Sequence, residues 1–146
     1  MTLEAEVRLA RQADLEALFE LDAIAQREDC RRQSIARAVA SGQCWVAADA
    51  DDAAELLGYG VLDNSFFGQD FIPLVVVRDS ARRRGIGAAI LRVLQSRSLG
   101  DKLFTSTNAS NLPMQALLGK LGFVGSGQVE NLDDGDPELV FVKFRS

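Results

Sequence analysis

The segment Leu74-Val75-Val76-Val77-Arg78-Asp79-Ser80-Ala81-Arg82-Arg83-Arg84-Gly85-Ile86-Gly87 constrains this chain more than any other. Four consecutive aliphatic residues predict a buried strand, two glycines mark the opening of a helix, and three arginines fill the turn between them. Such a turn is laid out to hold an anion. Small residues let backbone amides approach it closely, and a helix beginning near Gly85 adds partial positive charge at its N-terminus. A pyrophosphate fits that description. The GxxxxGK[ST] spacing of a Walker A loop and the GxGxxG spacing of a dinucleotide fingerprint are both absent. A glycine turn of purely structural use is the competing reading.

The arginine run stands out because the chain around it is acidic. Sixteen Lys and Arg face 21 Asp and Glu, and the resulting net charge of -5 disfavours general affinity for nucleic acid. With 146 residues, 47% of them hydrophobic, one domain with its own core is expected. The chain has no histidine, so histidine catalysis is excluded. Cys30 and Cys44 form no CxxC pair, which weighs against a disulfide scaffold or a structural zinc site and suits a reducing compartment. Met1 to Glu6 lack a basic region followed by an apolar core, and no run of about 18 apolar residues occurs. These features point to a soluble cytoplasmic protein with no metal, no membrane partner and no nucleic-acid partner; a homodimer stays open.

Hydrophobic spacing predicts a strand over Leu3–Leu9, then a helical stripe through Asp14, Leu15, Leu18, Phe19, Leu21, Asp22 and Ile24. A second helix is expected over Asp29–Ala40. Cys44–Ala48 and Leu56–Leu62 read as strands joined through the acidic turn Asp49–Asp52. After a loop over Asn64–Asp70, a strand is expected at Phe71–Arg78 and a helix at Gly85–Ser98. Leu103–Thr107 reads as a strand, Leu112–Leu121 as a helix, and Phe123–Glu130 and Leu139–Phe144 as the last two strands. The order β-α-α-β-β-β-α-β-α-β-β describes a mixed α/β sheet, and no repeat at a period of about 20 to 50 residues is present.

On that framework, Arg82, Gly85 and Gly87 match an R/Q-x-x-G-x-G/A signature, and Asn111, Lys120, Gly122 and Phe123 match a later Asn-to-Lys-x-Gly-Phe segment. Together they resemble the GNAT superfamily of acyl-CoA-dependent N-acyltransferases. The likeness in element order covers nearly the whole chain, and the specific motifs cover residues 74–123. The resemblance implies one N-acetyltransferase domain over residues 1–146, with a mostly antiparallel GNAT-like sheet flanked by helices. It further implies acetyl-CoA as cosubstrate and an amine of a small molecule or peptide as acceptor. Val75 and Val77 would then offer backbone groups to pantetheine, which enters a splay between Phe71–Arg78 and Leu103–Thr107. Amides from Arg82, Arg83, Arg84, Gly85, Ile86, Gly87 and Ala88 would surround the pyrophosphate. The side chains of Arg82 and Arg83 either reach cofactor phosphates or form a solvated surface, and Asn111 either orients pantetheine or only caps its helix. Lys120, Gly122 and Phe123 are read as chiefly structural.

Transfer to an amine requires a deprotonated acceptor close to the thioester and a donor for the developing oxyanion. The backbone amide of Val76 or Val77 is the candidate donor. Without histidine and with both cysteines outside the turn, direct attack in a ternary complex is favoured over an acyl-cysteine. Two departures from the family pattern bear on acid and base. Leu118 stands where the family often has a tyrosine, leaving water or Ser110 to protonate the thiolate. Pro73 stands near a position where some related enzymes carry glutamate, leaving Asp70 or Glu130, acting through water, as candidate bases. Tyr59, the sole tyrosine, is read as packing. Phe66 and Phe67 with Asp70 either form acceptor surface or anchor the core, and Glu130 with Asp133 in the acidic stretch to Glu138 either attract a cationic amine or make a soluble turn between the final strands. A CoA-binding regulatory or interaction protein with little catalytic activity is the alternative.

Overall fold

The computed structural model describes residues 5–145, so Leu3 and Glu4 of the first expected strand lie outside the described residues. The elements are β1 (Ala5–Leu9), α1 (Leu15–Leu21), α2 (Ala23–Arg27), α3 (Asp29–Ala40), β2 (Cys44–Asp49), β3 (Leu56–Phe66), β4 (Gln69–Val77), α4 (Ile86–Arg97), β5 (Lys102–Asn108), α5 (Leu112–Lys120), β6 (Val124–Val129) and β7 (Glu138–Phe144). Single 3₁₀ turns occupy Gln12–Asp14 and Asp79–Ala81. The strands form one seven-stranded sheet in the order β1-β2-β3-β4-β5-β7-β6. Pairing is antiparallel for β1–β2, β2–β3, β5–β7 and β6–β7, and parallel for β4–β5, where α4 supplies the crossover that a parallel pair needs. The expected α/β fold, a mostly antiparallel sheet flanked by helices, is found. Its contacts group into two compact units, one running to Leu62 and including Leu74–Leu94, the other holding Asp63–Pro73 and the chain from Gln95 onward.

In the first unit, Leu18, Leu21, Ile35, Val39, Val46 and Tyr59 build a core against which Leu74 and Val76 pack. The stripe expected to form one helix is broken in two at Asp22, whose backbone is extended (φ -99°, ψ 107°). The carboxylate causes the break. Its Oδ1 accepts from the amides of Ile24 (2.9 Å) and Ala25 (3.3 Å), capping α2. Its Oδ2 accepts from the Tyr59 hydroxyl (2.6 Å) and Arg31 Nη1 (2.9 Å). Asp22 is only 2% exposed. Burial opposes its ionisation, but the Tyr59 hydroxyl, the Arg31 guanidinium and the Ala25 amide outweigh that penalty and hold the carboxyl below its ordinary value. Burial first, and the Asp22 carboxylate second, push the Tyr59 hydroxyl far above its ordinary value. Tyr59 therefore packs and also anchors α2.

In the second unit, the segment expected as a loop over Asn64–Asp70 is instead the end of a hairpin. β3 continues to Phe66, β4 begins at Gln69, and only Phe67 and Gly68 turn, with φ of 54° and 76°. A two-residue turn with both φ positive follows the twist of its flanking strands. Sequence hides it because phenylalanine rarely adopts that conformation. The Phe66 ring packs on Phe67, Phe71 and Phe104 at centroid distances of 5.0, 5.1 and 5.0 Å, which fixes the turn from one side. Elsewhere the expected ends coincide with the observed ones or move by one residue, and α3 spans Asp29–Ala40 as expected.

Removing the Asp22 carboxylate strands a guanidinium and a buried hydroxyl. Asp22→Ala is expected to lose about 3 kcal/mol of stability in urea unfolding at neutral pH, and Tyr59→Phe about 1 kcal/mol. Because Asp22 keeps its charge to lower pH when folded, its contribution is full above the unfolded carboxyl value and is lost as pH falls through the depressed one. The gap between wild type and Asp22→Ala should therefore narrow on acidification below the carboxylate range; a gap constant with pH would refute the ionised hub.

Candidate functional site

The donor strand of the sequence reading is the C-terminal half of β4, where Val75, Val76 and Val77 are half-buried. Two glycines on β3 seat this region. A Cβ on Gly58 would lie 2.6 Å from the Val76 carbonyl oxygen and 3.2 Å from Ile90 Cδ1, and one on Gly60 would lie 2.6 Å from Ile90 Cγ2 and 2.9 Å from Leu94 Cδ1. Only glycine allows α4 to approach β3 so closely while the Val76 carbonyl stays in place. Sequence reading passed over this notch, although two glycines at the two-residue spacing of one strand face were its visible signal.

Beyond Val77, the Arg78 carbonyl accepts from the Ala81 amide (2.9 Å) and the Asp79 carbonyl from the Arg82 amide (3.3 Å), closing the 3₁₀ turn. Arg83 and Gly85 both have left-handed backbones, φ 67° and 77°. Ala89 donates to the Gly85 carbonyl (3.0 Å), which makes Gly85 the cap residue of α4. By helix geometry the amides of Gly85, Ile86, Gly87 and Ala88 then have no intrahelical acceptor. Gly85 carries no side chain to compete for them, and a Cβ there would meet nothing within 4 Å. The result is an open cradle of amides at a helix N-terminus, of the kind that suits a phosphate. The arginine side chains are partly engaged: Arg82 lies 3.1 Å from Asp79 and Arg84 3.7 Å from Asp49. Arg82, Arg83 and Arg84 are all exposed.

Other expected site residues fall into place less uniformly. Asp70 lies at the start of β4, six residues before Val76, and its Oδ2 accepts from the Ser98 hydroxyl (2.7 Å) and the Gly100 amide (3.0 Å). That carboxylate ties the end of α4 to β4. Ser110 donates its hydroxyl to Asp136 Oδ2 (2.6 Å), and its amide bonds Asp136 Oδ1 (2.9 Å). Asn108 donates to Asp133 Oδ2 (2.8 Å), so the acidic stretch braces the loop after β5. Glu130 is exposed past the end of β6, where Gln128 donates to it. Asn111 caps α5 through Oδ1, which accepts from the Met114 amide (3.2 Å). Phe67 is 89% exposed at the hairpin tip beside half-buried Phe66.

Several structural readings are also resolved. Gly122, with φ 95°, follows α5, and the Phe123 amide reaches back to the Leu118 carbonyl (3.0 Å), a helix stop of the Schellman kind completed by Lys143 Nζ on the Leu121 carbonyl (2.7 Å). Leu118 is 1% exposed, a core side chain. Pro73 follows directly on the last registered pair of β4 with β5, Ile72↔Thr105, and brings no N–H with which to continue it. The Ile72 carbonyl is meanwhile taken by the Thr105 hydroxyl (2.8 Å). Burial, and then Asp14, push the Cys44 thiol up to about 12, so it is inert as a nucleophile. Among the described residues no helix is long and apolar enough to cross a membrane, and no group of three or more His, Cys, Asp or Glu is arranged to hold a metal ion.

This sheet order, with a glycine-capped turn between β4 and α4, belongs to a known class. The model of the acetyltransferase (GNAT) family matches residues 13–123, and the chain belongs to that family. A GNAT-family acetyltransferase from Bacillus cereus ATCC 10987 is 34% identical with a TM-score of 0.87, the match covering 97% of this chain and 98% of that one. NAA60 of Arabidopsis thaliana, solved with a bisubstrate analogue, shares the fold at 19% identity and a TM-score of 0.74, covering 96% and 97%. The histone acetyltransferase HPA2 and related acetyltransferase of Corynebacterium glutamicum ATCC 13032 does so at 23% and 0.76, covering 98% and 97%. No curated protein sequence matches the chain.

A methyl group at Gly58 would press on backbone, which cannot rotate away. Gly58→Ala is therefore expected to cost about 2 kcal/mol in denaturant unfolding. Wild-type stability in this variant would show that the notch is not needed.

Proposed function

We propose that the protein transfers an acetyl group from acetyl-CoA to an amine of a small molecule or peptide, by direct attack in a ternary complex within one N-acetyltransferase domain. The observation that carries this reading is the open amide cradle at Gly85–Ala88, set at the end of β4 in a chain of this family. Its donors suit a pyrophosphate, since they are uncharged, close-set and backed by the helix dipole. Acetyl-CoA supplies the activated acyl group; the remaining work falls to the chain. Arg82, Arg83 and Arg84 add positive charge around the cradle, and the backbone of Val75 and Val77 orients pantetheine as an added strand would. Of the Val76 and Val77 amides, that of Val77 is the donor we assign to the acyl oxygen, because the Val76 carbonyl and the Arg78 amide are both turned to β3. Asn111 Nδ2 is a second orienting group.

For the acceptor, exposed Glu130 offers a carboxylate to a cationic amine, with Asp133, Phe66 and Phe67 as further surface. Asp70 and Ser110 are weaker candidates for proton transfer, because each is already in hydrogen bonds that hold the fold. Water acting with Glu130 is the preferred route for the amine proton. The two free cysteines, Cys30 and Cys44, suit a reducing compartment, and we place the enzyme in the cytoplasm. Leu118 and Pro73 favour a second reading, a CoA-binding regulatory protein with little turnover.

A panel of primary amines with acetyl-CoA, read by thiol release and product mass, separates the two. Sustained formation of an N-acetylated product is expected; CoA binding without turnover on any amine would leave the regulatory reading. Gly87→Glu should raise the acetyl-CoA Kd more than tenfold with an unchanged circular dichroism spectrum, since it sets volume and negative charge beside the phosphates. Unchanged affinity would reject the cradle.

If Glu130 assists deprotonation, Glu130→Gln should reduce turnover most where the amine is protonated and least at high pH. Asp70→Asn should lower stability while leaving that pH profile intact. The opposite pattern would return the base to Asp70.

A further inference from the structure

Arg78 stands beside the arginine run and, by sequence, counts as one more cation for the phosphates. Its bonds give it another task. The guanidinium meets Glu20 of α1 in a two-pronged pair, Nη1 to Oε1 at 2.9 Å and Nη2 to Oε2 at 2.6 Å, while Nε donates to the Leu56 carbonyl at 3.1 Å. The Arg78 amide donates to the Leu57 carbonyl at 2.8 Å. One residue thus ties the end of β4 to both β3 and α1. Its own carbonyl accepts the first bond of the 3₁₀ turn that leads to the cradle, so whatever fixes Arg78 fixes where that turn starts.

The other end of the tie is also firm. Glu20 lies two residues before Asp22, whose bonds to Tyr59, Arg31 and the α2 amides hold the end of α1 in the core. We propose that Glu20 and Arg78 form a positioning pair that sets the phosphate-holding turn for acyl-CoA, an inference that rests on the donor-site reading above. Their side-chain bonds run to each other and, for Arg78, to the Leu56 carbonyl, which assigns the pair to position and not to phosphate binding. The planar fork of arginine is needed because lysine can match neither the two-pronged contact nor the Nε bond. Arg78 also holds the Glu20 carboxyl below its ordinary value, chiefly through their hydrogen bond, so the pair stays charged across the neutral range.

The sign of one substitution separates positioning from charge. Glu20→Ala removes a negative charge from the vicinity of a polyanion site, so electrostatics alone predicts tighter CoA binding, whereas loss of a strut predicts weaker binding. Calorimetric titration of the full chain with CoA at fixed ionic strength, with thermal unfolding alongside, is the test. Glu20→Ala and Arg78→Lys are each expected to raise the CoA Kd about three- to tenfold. In the amine assay the acetyl-CoA KM should rise while kcat and the acceptor KM hold. Glu20→Arg combined with Arg78→Glu should recover part of the lost affinity. Glu20 is largely exposed, so its variants should fold; Glu20→Gln is the milder second choice. Unchanged or tighter CoA binding in folded Glu20 variants, even with a lowered melting temperature, would overturn the positioning pair alone. Failure of the wild-type chain to bind CoA would instead overturn the donor-site reading and the pair with it.

Discussion

The seating of α4 on β3 depends on two side chains that are not there. Gly58 and Gly60 leave a notch in which Ile90 and Leu94 lie against the strand, and the Val76 carbonyl occupies space that a methyl group would need. Cores are packed at near-crystalline density, so a helix cannot be moved by a fraction of an ångström without consequence at its end. Here the end that matters is the N-terminus of α4, where four amides lack helical partners. Apolar packing at Ile90 and Leu94 thus fixes a polar site one to two turns away.

Within each compact unit, carboxylates serve as structural acceptors. An acidic chain with no histidine invites each Asp or Glu to be read as a base, yet the structure uses many of them as acceptors for its own donors. Asp22 caps a helix and binds a phenol and a guanidinium; Asp70 gathers Ser98 and Gly100; Asp136 takes both groups of Ser110. The physical reason is general. Donors at helix ends and in loops must be satisfied where water is excluded, and a short carboxylate satisfies two or more at once. A carboxylate spent in this way is poorly placed to take a proton from a substrate.

How far the sequence could be read follows from where its signals are local. The β4–turn–α4 segment was legible because glycine, arginine and an aliphatic run each act within a few residues, and Gly85 does stand at the opening of α4, which begins at Ile86. Asn111 as a cap and Gly122 as a helix stop were legible for the same reason. The break at Asp22 was not, because the stripe of apolar residues runs on through it and its partners Arg31 and Tyr59 lie 9 and 37 residues away. The Phe67–Gly68 turn was hidden by a residue that seldom turns, held by ring contacts to Phe66 and, through Phe66, to distant Phe104. Roles for Asp70 and Ser110 were likewise assigned from their chemistry, which cannot reveal that a partner already occupies it.

What remains for the chemistry is chiefly backbone. Leu118 is a core side chain, Tyr59 is buried on Asp22, Cys44 holds its proton, and Pro73 has neither a carboxylate nor an amide hydrogen. On the proposed reading, with these side chains committed elsewhere, rate enhancement would come largely from holding the acceptor nitrogen against the thioester, and well-oriented reactants can gain effective molarities of about 10⁵ M or more. Such a mechanism tolerates an ordinary proton acceptor but not a misplaced donor strand. That demand gives a physical reason for the density of bonds at the end of β4, where the backbone and side chain of Arg78 together make five contacts with β3, α1 and the turn.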